Sequence, residues 1–269
     1  MSVLEGVLAD LTAEGDRLRA VVAERDAATW STDTPAAGWT IATQIAHLAW
    51  TDEVAVLAAG AHTPDGKEAW DRVVLAAIED PTGYVDACAL EVAELAPADL
   101  LVRWDIARGA LADALRAVPE GQRMPWFGPP MSPTSMATAR FMETWAHALD
   151  VDAALGLTVE PTDRIRHVAH IGVRTRDFAF GNHGLTPPAE AFRIELVAPS
   201  GEVWAWGPDD AAQRVSGSAY DFCSLVTQRV HRDDTALVAV GEDAEQWLRI
   251  AQAFAGPAGG GREATGASS

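Results

Sequence analysis

The chain has 269 residues, enough for one large domain or two modest ones, and its 48% hydrophobic content can fill a core without disulfide staples. A formal charge of −19 repels a polyphosphate backbone, and the arginines form no long basic run, so nucleic acid is not expected as a partner. Two distant cysteines, Cys88 and Cys223, lie in apolar surroundings, no secretory-type leader is legible, and no uninterrupted apolar run is long enough to span a bilayer. The expectation is a soluble protein in a reducing, cytoplasmic setting, with no membrane contact.

In chain order, Val3 to Ala27 has apolar residues recurring every three or four positions and reads as an amphipathic helix. A polar loop, Ser31 to Pro35, ends it. Thr40 is a natural N-cap for a second helix, Ile41 to about Ala59. Gly60 to Gly66 breaks the pattern, and helix resumes from Glu68 to about Leu95 with an interruption at Asp80 to Gly83. Pro97 to Ala117 forms a further helix. The loop Val118 to Met131 carries Trp126 and Phe127, aromatics that either line a pocket or pin the loop by packing. Ser132 and Pro133 open a long helix that Gly156 stops. Beyond Pro161 the texture changes. A helix over Thr162 to Phe180 precedes alternating strands at Phe192 to Val197 and Val203 to Trp206, joined by a turn at Pro199 to Glu202. A helix at Ser218 to Val230, a strand at Ala236 to Val240 and a helix at Asp243 to Phe254 complete an α+β region.

The chemistry concentrates on two of these helices. Glu143 and His147 are four residues apart, so their side chains stack on one face and can converge on an ion. His47, on the apolar second helix, can add a third ligand, giving a two-histidine, one-carboxylate set with an open coordination position. Arg140, Glu143, His147 and Asp150 fall within one stripe; polar groups on an inward stripe need shared partners, and Arg140 and Asp150 would orient the ligands or the substrate. A Glu-His pair at this spacing is by itself usually a surface ion pair, and it is His47 and the full stripe that favour metal. His167 and His170, among arginines, read as a solvated face, and the tryptophans read as core anchors.

The Gly38-Trp39-Thr40 lead into Gln44-Ile45-Ala46-His47-Leu48, the Arg140-x-x-Glu143-x-x-x-His147-x-x-Asp150 helix and the α+β tail together resemble the mycothiol-dependent maleylpyruvate isomerase family of the DinB-like metal-binding superfamily. The resemblance covers roughly residues 3–255. It implies an α+β multidomain protein: a DinB-like four-helix bundle over 1–158, a small α+β domain over 159–256 that resembles a wyosine base formation domain, and a disordered Gly-rich tail over 257–269. Carried over residue by residue, the ligands of a divalent metal, zinc first among them, are His47, Glu143 and His147. The family's C-terminal arginine matches Arg229, which could equally be a helix C-cap. Mycothiol is the implied co-substrate, beside a small electrophile.

Three protein ligands leave room for water or a thiol, and neither Cys88 nor Cys223 has the basic surroundings of a nucleophile, so a thiol reaction needs an external low-molecular-weight thiol. The expected activity is isomerisation if the thiol is expelled after bond rotation, or thiol transfer if it stays, with Arg229 or Arg140 steadying the substrate. The alternatives are a non-catalytic small-ligand-binding protein with a structural metal, and a metal-dependent hydrolase. Monomer and homodimer remain equally open.

Overall fold

The computed structural model describes residues 2–266. Compact packing divides them into two units, one ending at Thr158 and the other beginning at Val159. Among the described residues no helix is long and apolar enough to cross a membrane.

The first unit is all helical. It contains α1 (Val3–Val22), α2 (Ala27–Trp30), α3 (Ile41–Gly60), α4 (Pro64–Glu79), α5 (Tyr84–Val92), α6 (Pro97–Ala117) and α7 (Pro133–Ala154). The four long helices, α1, α3, α6 and α7, form the bundle, with α3 packed along α6 and α1 along α7. Their ends follow the local chemistry. Thr40 and Thr43 cap α3 reciprocally, side chain to backbone, at 3.3 and 3.4 Å. Ser132 accepts from Ser135 N at 3.1 Å with Pro133 in the first turn of α7, and Gly156 takes a left-handed φ of 65° just past its end. α1 stops at Val22, short of the expected Ala27, because Asp26 caps a separate turn through Thr29 N at 2.8 Å. Trp126 stacks on Trp70 at 6.0 Å between ring centroids and Phe127 lies tilted against it at 5.4 Å, so their loop is pinned by packing.

The core of the bundle comes in two parts. One apolar cluster includes Leu18, Val22, Ile45, Leu48, Leu100, Trp104 and Val151; the other includes Val7, Leu8, Val54, Leu111, Leu115 and Met136. Between these sequence levels lie the buried polar side chains Glu14, Asp52, Arg140 and Thr144, one or two from each of α1, α3 and α7. Ion pairs tie the helices at this level: Arg17 bridges Glu14 and Asp152 at 2.8 and 3.0 Å, and Arg140 Nε donates to Asp52 Oδ1 at 2.8 Å.

The second unit contains a 3-10 turn at Asp163–Ile165, then α8 (Arg166–Arg174), α9 (Arg176–Asn182), β1 (Phe192–Val197), β2 (Val203–Trp206), β3 (Gln213–Ser218), α10 (Ala219–Val226), β4 (Val238–Val240) and α11 (Glu242–Ile250). The sheet order is β2-β1-β3-β4, with β1 antiparallel to β2 and parallel to β3. Phe192, Ile194, Leu196 and Val215 point into an apolar core with Phe222 and Trp247, whose rings meet edge-on at 5.7 Å. The expected single helix over 162–180 breaks at Thr175, whose hydroxyl returns to Gly172 O at 3.1 Å. β3 was not anticipated: Gln-Arg-Val-Ser-Gly-Ser holds one large apolar residue, so no alternation marks it. α10 ends before the expected Val230, because Gln228 turns left-handed at φ 59° and Arg229 N returns to Ser224 O at 2.8 Å. Of the tail expected to be disordered, 267–269 lie outside the described residues, and 257–266 carry no helix or strand.

Candidate metal centre

Two helices build this site. Gln44, His47 and Asp52 lie on the buried side of α3, and Arg140, Glu143, His147 and Asp150 on one side of α7; all are buried except Glu143, whose side chain is 22% exposed. The structure brings His47, Glu143 and His147 together, one ligand atom from each lying within 4.8 Å of the others. Glu143 Oε2 is 3.1 Å from His147 Nε2 and 3.7 Å from His47 Nε2. The two imidazoles are 4.5 Å apart between centroids, and Trp39 lies against both, stacked on His147 at 5.8 Å and tilted to His47 at 5.2 Å.

The protons around His147 can be assigned from a relay of hydrogen bonds. A backbone carbonyl only accepts, so Thr34 Oγ1 donates to Trp39 O at 2.8 Å. That hydroxyl then accepts from Gln44 Nε2 at 2.8 Å, which turns Gln44 Oε1 toward His147 Nδ1. Nδ1 therefore carries a hydrogen, and Nε2 donates to the Glu143 carboxylate when the ring is protonated and faces it with a lone pair when the ring is neutral. Two acceptors at 3.1 Å repel unless a cation, a proton or a metal ion, lies at the site. Burial disfavours a charged Glu143, yet hydrogen bonds to His147 and His47, and the positive charge those rings can carry, hold its carboxyl well below the usual carboxylate range.

The remaining sequence candidates fall elsewhere. Arg140 is spent on Asp52 inside the bundle, both side chains nearly inaccessible. Desolvation pushes Asp52 upward, against the charge and hydrogen bond of Arg140, the nearby Trp104 N–H and the charge of His47. Asp150 is buried on α7, but the partner identified at His147 Nδ1 is Gln44. Arg229 belongs to the second unit, where its Nη1 donates to Thr227 O at 2.7 Å beyond α10. Sequence reasoning missed Gln44, Thr34, Trp39 and Asp52. Gln44 carried a usable signal, a lone amide in an apolar helix three residues before His47, on the same side.

The donor set of two imidazoles and one carboxylate, with the second ring nitrogen of His147 tethered to an amide oxygen, fits a divalent ion of the zinc type. His47 Nδ1 is buried with no hydrogen-bond partner among the described residues, so its ring is oriented by packing against Trp39 and His147.

Residues 11–152 match the family model for the mycothiol maleylpyruvate isomerase N-terminal domain, and residues 188–240 match the one for wyosine base formation. Two relatives, both uncharacterized proteins of Mycobacterium tuberculosis, from strains CDC 1551 / Oshkosh and ATCC 25618 / H37Rv, are each 56% identical over 255 residues, covering 95% of this chain and 97% of theirs. Among solved structures, the crystal structure of the mycothiol-dependent maleylpyruvate isomerase superposes with a TM-score of 0.57 at 17% identity, covering 88% of this chain and 92% of that one. A histidine-to-alanine mutant of that enzyme gives 0.55 at 18%, covering 84% and 89%. At these identities the likeness is one of fold.

Proposed function

This chain belongs to the mycothiol maleylpyruvate isomerase N-terminal domain family, and from that premise we propose that it is a divalent-metal enzyme that uses mycothiol to isomerise, or to add the thiol to, a small electrophilic substrate. The observation that carries the reading is the convergence of His147 Nε2, its ring held by Gln44, with the Glu143 carboxylate and His47 Nε2. In this reading His47, Glu143 and His147 hold the ion, with zinc the natural occupant of two imidazoles and a carboxylate. When bound, such an ion supplies Lewis acidity and deprotonates a thiol at neutral pH.

The chain's own residues do the positioning. Gln44 fixes the tautomer of His147, so in the neutral ring its ligand nitrogen is the unprotonated one. Arg140 and Asp52 clamp α7 to α3 and keep the facing ligands at constant separation. Trp39 covers one side of both imidazoles and excludes water there. Burial raises the thiols of Cys88 and, much further, Cys223, which supports an external thiol as nucleophile. Arg229, matching the family's C-terminal arginine, is assigned to the substrate's negative charge.

The test begins with elemental analysis of untagged protein purified without chelator, where about one equivalent of zinc is expected in the wild type and none in His47→Ala or His147→Ala. Conversion of maleylpyruvate and other small electrophiles is then followed with and without mycothiol, and mycothiol consumption separates addition, which uses the thiol up, from isomerisation, which returns it. Metal that survives both substitutions, or no electrophile reacting faster with protein plus thiol than with thiol alone, would sink the proposal.

A further inference from the structure

Much of the Gly-rich tail expected to be disordered is tethered to the second unit. Gln252, just past α11, is 1% exposed, and its amide is spent on the chain that follows it. Nε2 donates to Phe254 O and Pro257 O, each at 3.1 Å, and Oε1 accepts from Gly259 N at 3.3 Å. Asn182 Nδ2 adds a bond to Gly256 O at 3.0 Å. A buried amide stripped of its partners is costly, so this root of the tail belongs to the folded unit. Further on, Arg262 and Ala264 are half-buried between exposed neighbours, the pattern of an extended chain lying on a surface. At Thr265 the backbone N–H donates to Asp234 Oδ2 at 2.9 Å and the hydroxyl donates to Asp234 Oδ1.

These contacts border one loop, the connection from α10 to β4 that carries Arg229. Ala253 N donates to Val226 O at 2.7 Å, so the chain leaves α10 and α11 side by side. Gly259 then runs against Gln228 so closely that a Cβ there would lie 2.0 Å from Gln228 Oε1. Loop and tail therefore run together from Gln228 and Gly259 to Asp234 and Thr265. The loop is one that gains from support. Gln228, alone among the described non-glycine residues, takes a left-handed φ, 59°, and Arg229 follows it directly, its Nη1 returned to Thr227 O at 2.7 Å.

We propose that residues 256–265 form a strap that holds the 227–235 loop, and with it the Arg229 guanidinium, in the orientation that meets the substrate's negative charge. The inference rests on the role assigned to Arg229 above. Glycine loses more freedom on ordering than any other residue, and Gly256, Gly259, Gly260 and Gly261 lie in the strap, so it is among the first parts of the unit to open. Opening starts at Thr265 and Asp234, which are exposed, while the buried Gln252 keeps the root in place.

The experiment is hydrogen exchange read by mass spectrometry on the full-length protein, on Asp234→Ala and on a chain shortened to end at Ala255. Exchange in 227–235 should rise about threefold in Asp234→Ala and about tenfold in the shortened chain, while β1 and β3 keep wild-type protection. Asp234→Ala retains the Gln252 anchor and serves if the shortened chain does not fold. Unchanged exchange in the loop, or an equal rise in loop and sheet, would overturn the strap. Kinetics separate the strap from the catalytic reading. The shortened chain should raise KM for an anionic electrophile about fivefold, with kcat within about twofold and a neutral electrophile unaffected. An unchanged KM for the anionic substrate would overturn the positioning of Arg229. Faster loop exchange in a protein that turns over no electrophile would keep the strap and place the failure in the catalytic reading.

Discussion

In the helical unit the buried side chains include Glu14, His47, Asp52, Arg140, His147, Asp150 and Asp152, whereas in the α+β unit the buried polar side chains, among the described residues, are Ser224, Thr227 and Gln252, which carry no charge. The first unit thus keeps ionisable groups in its interior and must neutralise them pairwise; the second is held by ordinary apolar packing around Phe222 and Trp247. Buried charge is a poor way to gain stability and a common way to build chemistry. The difference puts the buried ionisable side chains in the bundle and predicts that the two units break differently.

The largest effect is expected from Asp52→Ala, which strands the Arg140 guanidinium and should cost about 3–5 kcal/mol in urea denaturation. Asp52→Leu combined with Arg140→Met should recover most of that loss; a double variant as unstable as the single one would mean that the two residues are not chiefly each other's partner. Arg17→Met should cost roughly 2 kcal/mol at neutral pH, less than the Asp52 case because Arg17 is 21% exposed. Burial raises Asp152 above its ordinary value, with Arg17 opposing and Glu14 adding to the rise. A carboxyl raised in the folded state binds its proton there longer than in the unfolded chain, so stability falls as pH climbs from the unfolded value of about 3.8 through the folded one. Losing Arg17 widens that window, so the deficit of the variant should shrink toward pH 4. Urea midpoints at pH 4 and 7 decide it, and a deficit independent of pH would remove the charge explanation.

At the candidate metal centre, Gln44→Ala should lower zinc affinity about 10–100-fold in competition with a chelator while the fold is retained. In the α+β unit, Gly172→Ala puts a Cβ 2.8 Å from Val226 Cγ2 and 3.1 Å from Phe222 Cε1. Crowding of about 1–3 kcal/mol is partly offset by about 1 kcal/mol of helix propensity, leaving a net loss near 1 kcal/mol without pH dependence. Smallest of all, Lys67→Ala removes an exposed i, i+4 pair with Asp71 on α4 and should change stability by less than about 0.5 kcal/mol.

What could be read from the sequence follows the range of the interactions involved. The helix starts at Thr40 and Ser132 were legible because a cap is a local contact of three residues. Glu143 and His147 were legible because their spacing is fixed by one helix, and His47 because a histidine in an apolar run needs a reason. The tether of His147 was not, since it runs from Gln44 through Thr34 to the carbonyl of Trp39, and nothing in the identity of those residues announces a backbone acceptor. Arg140 was read toward the substrate, but its buried partner Asp52 lies 88 positions away. β3 escaped because its place beside β1 supplies the order that its own side chains do not encode.

The polar level across the bundle also acts as an axial ruler. Helices joined only by aliphatic contacts can slide by a turn, about 5.4 Å, and still bury grease against grease. Here such a slip would carry Asp52 away from Arg140 and Asp152 away from Arg17, leaving charges against leucine. The register that keeps those pairs intact is also the one that sets His47 opposite Glu143, so the alignment of the ligands comes from ionic contacts that never touch them.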